Sequence, residues 1–433
     1  MFAKARWVGL AAVLAGQATR AETMTVEQAV ARAQQLSPQY RAAEARRDAA
    51  VDQMHSARGR LLPVVAVQDE FQHYNTPFAV KFEIPGSPIA PSLTVRAQNT
   101  NSFSAAVSQP LLGLAHLSQE YSAASSNADA ADAQLVGAQS AIREQVETTF
   151  LRLFEARASL QVAQSSESQL AEQVTLSNAR IQAGSGTNAD LLRTQVAKAN
   201  IQQQALQAKV QASQARTQLL VLLDLPYDTT VDFAEPESLE QAAAQAVPTL
   251  TDATGQAYSQ RSELKNAALS AEGAEALSRA RLLQLLPDID FEAAYLHIDG
   301  QALALSDSAF YGFKASFPVW TWGTQWFAHR AAAHQAEAAR LLADDSKRQV
   351  RIEVSGRLDQ LEAATAAIDV AGTAIASAEE SYRVTNALVQ AGSGTTTDLL
   401  DAQSALTQAK LNLVRAKYQQ AQARVQLTRA IGP

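Results

Sequence analysis

Apolar residues along this chain follow two different periods. In residues 288–298, Ile289, Phe291, Ala293 and Tyr295 alternate with Asp288, Asp290, Glu292 and Ala294; in residues 308–319, Tyr311, Phe313, Ala315, Phe317 and Val319 alternate with Phe310, Gly312, Lys314, Ser316 and Pro318. A period of two puts each class on its own face of a strand. The pattern recurs within about 101–111, where Phe103, Ala105 and Val107 alternate with Ser102, Ser104 and Ala106, and less regularly over about 64–75. Elsewhere the period is helical. Leu399, Ala402, Leu406, Ala409, Leu413, Ala416, Ala423 and Leu427 keep a 3–4 spacing broken only by Gln420. A second stripe, Val354, Leu358, Leu361, Thr365, Ile368, Gly372 and Ile375, has Thr365 as its one polar member. Leu alternating with Ala lets antiparallel helices approach closely.

The chain is also written twice. "IQAGSGTNADLLRTQ" from Ile181 returns as "VQAGSGTTTDLLDAQ" from Val389, and the match runs on ungapped through Lys209 with Lys417 and Arg216 with Arg424. "RLLP" at Arg60–Pro63 returns as "QLLP" at Gln284–Pro287, and "TVEQA" from Thr25 is echoed by "SLEQA" from Ser238. Fixed-order self-similarity of this kind predicts two copies of one structural unit. The first, residues 22–223, is read as helix 25–60, strands about 64–75 and 101–111, long helix 114–182, a tip turn at 183–187 and a return helix 188–222. A linker with a short helix covers 224–257. The second unit, 258–433, is read as helix 258–284, strands about 288–298 and 308–319, long helix 323–390, tip turn 391–395 and return helix 396–430. Thr25 with Gln28, and Ser238 with Gln241, have the spacing of capping boxes. At the tips, Gly184 and Gly392 suit the left-handed turn that ends a helix. Thr187 with Asp190, and Thr395 with Asp398, suit the N-caps of the return helices.

Composition narrows the reading. Aromatic residues are 6% and hydrophobic residues 47% of 433, so the apolar set is mostly small and fits helix against helix better than a thick core. A formal net charge of −7 without a basic cluster disfavours nucleic acid, and the lack of cysteine removes disulfides and thiol chemistry. Residues 1–21 read as a signal peptide: Lys4 and Arg6, an apolar run from Trp7, then small residues suited to cleavage after Ala18 or Ala21. Beyond it no apolar run approaches the ~20 residues of a membrane helix, so any bilayer crossing is expected to use strands. Four strands are too few to close a barrel, and an open edge in lipid leaves backbone groups unpaired. Three copies would supply twelve strands, which makes a trimer the simplest closed solution. A helix of 114–182, roughly 100 Å if continuous, likewise needs other helices lengthwise along it.

The signal peptide, the doubled helix–strand–strand–long helix unit, "LLP" before each first strand, Pro110 and Pro318 after each second strand and "AGSGTTTDLLDAQ" at the tip resemble the TolC family of outer-membrane efflux proteins. The resemblance spans essentially the whole mature chain. It implies a mainly α fold with a small β part, in which long antiparallel helical hairpins form an α-barrel and four transmembrane strands per chain complete a 12-stranded β-barrel in a trimer. It implies a Gram-negative outer-membrane duct extending into the periplasm, a passive channel serving a tripartite efflux pump or a type I secretion system. The tips, Gly184, Ser185, Gly186, Thr187 and Asp190 with Gly392, Ser393, Gly394 and Thr395, would meet a periplasmic adaptor and through it an inner-membrane pump. Asp398 and Asp401 match the family's constricting aspartate rings, while Asp398 also suits a cap and Asp401 a solvated surface. The first copy has Arg193 where Asp401 stands. Val389 and Gly394 occupy positions where the family can carry a tyrosine and an arginine, so that latch is absent.

Asp288, Asp290 and Glu292 read as a lumen-facing, cation-favouring lining or as ordinary solvent-facing strand residues. Trp320, Trp322 and Trp326 suit either a membrane interface or packing beneath a barrel. The six histidines, His55, His73, His116, His297, His329 and His334, show no metal-binding spacing, and no phosphate loop, nucleophile elbow or dinucleotide fingerprint occurs. No catalytic residue, cofactor or metal is expected. The alternative from another class is a soluble periplasmic coiled-coil scaffold or adaptor, which would ordinarily carry one hairpin and a larger β domain.

Overall fold

The computed structural model describes residues 23–82, 85, 92–236 and 246–432. The signal peptide and the proposed Ser238–Gln241 cap lie outside them. Two compact units are distinguished, one comprising residues 1–37, 142–247 and 357–427, the other 38–141, 248–356 and 428–433.

Helices dominate both, and they come in matched pairs. The first repeat has α1 (Val26–Leu36, 11 residues), α2 (Pro38–Gly59, 22), α3 (Gly113–Gln182, 70) and α4 (Asn188–Leu222, 35). The second has α5 (Leu250–Gln260, 11), α6 (Ser262–Leu283, 22), α7 (Thr324–Gln390, 67) and α8 (Thr396–Ile431, 36).

The helices differ from the sequence reading in three respects. The helix expected over 25–60 is two, because Pro38 cannot continue a helix and holds Ser37 extended at ψ 128°. The helix expected at 258–284 divides at Arg261, also extended (φ −69°, ψ 122°), and its first part begins at Leu250, inside the stretch read as linker. The counterpart of Thr25 is therefore Thr249, whose Oγ1 accepts the Asp252 backbone N–H at 3.2 Å. It sits 224 positions after Thr25, the same offset that relates the two LLP segments. Thr25 itself closes a full capping box with Gln28 (3.0 and 3.3 Å). Third, α7 contains an Ala-rich stretch around residues 361–378 with the length and composition of a membrane helix at mean hydropathy 1.2. This is an exception to the expectation that no such run exists, and eight alanines together with Leu361, Ile368, Val370 and Ile375 produce it.

In the unit holding the tips, the α8 stripe is buried except at Leu413, which is half-buried: Leu399, Ala402, Leu406, Ala409, Ala416, Gln420, Ala423 and Leu427 are all nearly inaccessible. The two polar exceptions of the two stripes meet. Gln420 Nε2 donates to Thr365 Oγ1 at 3.2 Å, and Thr365 in turn donates to the Leu361 carbonyl at 2.8 Å. A part-buried polar pair in an apolar seam favours this register over others. Gln420→Ala, which leaves Thr365 without its donor, is expected to cost about 1–2 kcal/mol in chemical denaturation, and Gln420→Leu with Thr365→Val less than either single change. Also in this unit, β1 (Thr23–Met24) pairs in parallel with β5 (Asp232–Phe233), a contact with no signal in so short a sequence.

The other unit holds an antiparallel sheet ordered β2 (Val64–His73), β4 (Ser92–Pro110), β6 (Asp288–Gln301), β7 (Asp307–Ser316), with short β3 (Phe78–Lys81) paired to the first part of β4. β4 starts earlier than expected and β3 was not expected, although Leu93, Val95 and Ala97 alternate with Ser92, Thr94, Arg96 and Gln98 at the start of β4. β7 stops at Ser316, short of 319, ahead of Pro318, which has no N–H to give the ladder.

Candidate functional site

The registers assemble two unlike faces. One face carries Val65, Val67 and Phe71 from β2, Ala105 and Val107 from β4, Phe291, Ala293 and Tyr295 from β6, and Tyr311, Phe313 and Ala315 from β7. The large residues on its outer strands are bare: Val65 is 71%, Phe71 68%, Tyr311 83% and Phe313 73% exposed. The opposite face carries Gln68, Glu70 and Gln72, Ser102, Ser104 and Ser108, Asp290 and Glu292, and Lys314 and Ser316, with Val64, Leu296, Ile298 and Phe310 as the large apolar exceptions. Asp288 shares that polar face, opposite Ser316, and Glu292 reaches Lys314 at 3.9 Å. Lys314 thus offsets part of the acidic lining. On the apolar face the composition changes near one end, where His297 sits between Asp307 (2.9 Å) and Asp299 (3.3 Å). Among the described residues β2 and β7 are each paired on one edge only.

The tips are built alike. Gly184 (φ +71°) and Gly392 (φ +78°) take the left-handed conformation. Ser185 N–H then returns to the Arg180 carbonyl at 2.9 Å, and Ser393 N–H to that of Leu388 at 3.0 Å. The second glycine of each pair is needed for a different reason, the lack of room for a side chain. A Cβ on Gly186 would lie 3.1 Å from Ile181 N, and one on Gly394 3.0 Å from Val389 N. Backbone passes backbone there, so Gly394→Val forces the turn open. Its expected cost is about 2 kcal/mol against about 1 for Gly392→Ala, measured by thermal melting.

Each return helix starts on its threonine. Asp190 N–H donates to Thr187 Oγ1 and Asp398 N–H to Thr395 Oγ1, both at 3.2 Å, while each hydroxyl donates back to the acid at 2.6 Å. Asp398 Oδ2 also accepts the Thr395 N–H at 3.3 Å, so this carboxylate is engaged by its own cap. Asp401, one turn on, is exposed and belongs to a groove of about 810 Å³ that also takes in Arg193, Val196, Asn200 and Thr397. Arg193 Nη1 donates to Thr397 Oγ1 at 3.2 Å and lies 3.8 Å from Asp190. The positions that correspond in the two repeats, Arg193 and Asp401, therefore line one groove with opposite charge. Sequence reading missed one contact across the tips, Arg180 Nη2 donating to the Val389 carbonyl at 3.4 Å, since a backbone acceptor leaves no mark in the sequence. Val389 is buried, and its side chain fills the tip under Gly394.

A family model described as outer membrane efflux protein matches residues 11–224 and 253–433. The chain belongs to that family. Outer membrane efflux protein BepC of Brucella suis biovar 1 (strain 1330) is 28% identical over 269 residues, 60% of this chain and 56% of the relative, so the chain spans little more than half the length of that protein. Among solved structures, the outer membrane protein VceC of Vibrio cholerae superposes with a TM-score of 0.80 at 17% identity, covering 94% of this chain and 96% of VceC. The open state of the Neisseria gonorrhoeae MtrE outer membrane channel superposes at 0.78 and 17% identity, covering 94% and 88%. At such identities the likeness is one of fold: long helical hairpins and a small sheet, with the α-barrel/β-barrel architecture of TolC-like channels. As a member of this family, the chain is a Gram-negative outer-membrane protein.

The unit that contains the sheet has a further polar centre, unforeseen because it joins the α5–α6 break, the middle of α7 and the end of α8. Arg261, its side chain only 7% exposed, donates from Nη1 to Glu353 at 2.5 Å and lies 3.4 Å from Glu263. Glu263 also holds Arg429. Burial alone would raise the Glu263 carboxyl, but the hydrogen bond from Arg429 and the two guanidinium charges hold it below the usual range.

Proposed function

We propose that three copies of this chain form a passive outer-membrane exit duct for a tripartite efflux pump or a type I secretion system, opened at its periplasmic tips by an adaptor. The observation that carries this reading is the sheet: one apolar face left bare, one polar face, and two outer edges without partners among the described residues. A bare apolar face suits lipid, an acidic polar face suits a water-filled lumen, and two open edges call for further strands. β2 of one copy pairing with β7 of the next satisfies every edge at once. Doubling within each chain gives six AGSGT tips in the trimer, a ring suited to an adaptor.

In this reading Asp288, Asp290 and Glu292 line the lumen, with Lys314 moderating their field. Threefold symmetry repeats Asp401 as a ring of like charge at the periplasmic mouth, favouring bound cations. Asp398 forms a second acidic ring fixed by its cap. With no tyrosine at 389 and no arginine at 394, closure falls to Arg193, which faces the Asp401 groove from the other repeat. The transported compound is left to the inner-membrane partner.

Planar-bilayer recording of the purified protein tests the duct. A small, cation-selective conductance is expected, and its consistent absence after verified insertion removes the reading.

A further inference from the structure

The turn that joins β6 to β7, at the end of the sheet remote from the helices, is apolar where a surface turn is ordinarily polar. Ala302, Leu303, Ala304 and Leu305 run consecutively, with Leu303 73% and Leu305 77% exposed. The turn is held in one shape. Gly300 is left-handed at φ +80°, and a Cβ there would collide with the Asn99 carbonyl oxygen. Ala302 N–H donates to the Val95 carbonyl at 3.0 Å, and Ile298 N–H to that of Ser306 at 2.8 Å. Leucines displayed on a braced turn mark a contact.

Two observations decide what covers them. The apolar face of the sheet ends short of the turn in His73, Asn99, Asn101, His297, Asp299 and Asp307, which share that face by register. Lipid tails stop at such a polar row, and the turn lies beyond it. The second observation is one of level. Arg96 of β4 pairs with Phe78 of β3 on one side and with Gln301 on the other, so Phe78 and the start of the turn stand level at opposite margins of the sheet. Phe78, Ala79 and Val80 are an apolar run as well, Phe78 is 53% exposed, and among the described residues β3 is paired on one edge only. Joining β7 of one copy to β2 of the next carries the turn of the first to β3 of the second.

We propose that the 302–305 turn of one copy packs on Phe78–Val80 of the next, an apolar clasp across each seam at the end of the barrel remote from the helices. This rests on the trimeric reading above. The occupant is a second copy and not lipid, because the polar row separates the turn from the apolar face and ring closure brings an apolar run to its level.

The sequence has no cysteine, so introduced thiols are the only ones. Leu303→Cys and Phe78→Cys are placed on two differently tagged copies, co-expressed, and the detergent-extracted particles are oxidised with copper phenanthroline. A disulfide joining the two tags is expected, because the clasp brings the two β-carbons within its reach, and neither variant expressed alone is expected to link. Linking within either variant alone would mean that like surfaces meet on the axis, which overturns the clasp. Absence of a link between the tags also overturns it; a particle that still holds three chains then leaves the duct standing, whereas a single-chain particle removes both. Leu303→Ser with Leu305→Ser needs no thiol, and it is expected to lower the temperature at which the particle releases single chains. An unchanged temperature overturns the clasp.

Discussion

Asp401→Ala is expected to raise single-channel conductance about three-fold and to weaken cation selectivity, while Asp398→Ala is expected to change conductance less and stability more. The separation follows from what each carboxylate touches. Asp398 accepts from the backbone and hydroxyl of Thr395, so its removal exposes an uncapped helix start at a cost of about 1 kcal/mol. Asp401 is exposed in its groove, and in a trimeric mouth its charge is repeated on the axis. Removing three like charges lowers cation occupancy and the barrier it sets. The double variant exceeds Asp401→Ala only slightly. Single-channel recording at two salt concentrations checks this, since the difference between wild type and Asp401→Ala should shrink as screening increases. Equal effects from the two single variants would remove the distinction between cap and gate, and no effect from either would remove the gate.

Arg261→Ala is expected to be the most destabilising single change, by roughly 3 kcal/mol, because it leaves Glu353 unpaired and removes one of the two guanidiniums that Glu263 holds. The figure lies toward the low end for a buried pair, since both glutamates are 39% exposed and water screens part of the loss. The pH dependence has a definite sign. Glu263 is depressed below the ordinary glutamate value of 4.5, so its contribution is present above that value and fades as pH falls through the folded pKa. Without Arg261 the depression is smaller, and the acid unfolding transition moves to higher pH. Arg261→Lys, which keeps the charge but loses the fork, restores part of the stability. An acid transition that does not move would separate the stability of this unit from its ion pairs.

Periodicity carried much of this structure, and the places where it failed share a cause. The seam positions of α8 were legible because all but Leu413 pair a local 3–4 spacing with burial, down to the polar exception Gln420 and its partner Thr365. The tip was legible because a left-handed glycine and a capping threonine are local devices. The break at Ser37 was missed although Pro38 announces it, since helical spacing on both sides masks one residue of bend. Thr249 was missed as a repeat start because Ser238 offers a closer sequence echo. Arg180 on the Val389 carbonyl, Arg261 on Glu353 and the pairing of β1 with β5 bring together residues distant along the chain, where no spacing rule applies. For the proposed gate, sequence supplied Asp398 and Asp401, and geometry divided them between cap and groove.

The account stands on the edges of one sheet being closed by sister chains. The decisive measurement is the mass of the protein extracted from outer membranes in mild detergent, by light scattering corrected for bound detergent. The account predicts a particle holding three mature chains, each lighter than the 46.3 kDa of the full sequence, that needs detergent to stay dispersed and comes apart on heating. A stable single chain, dispersed in buffer without detergent, would contradict it.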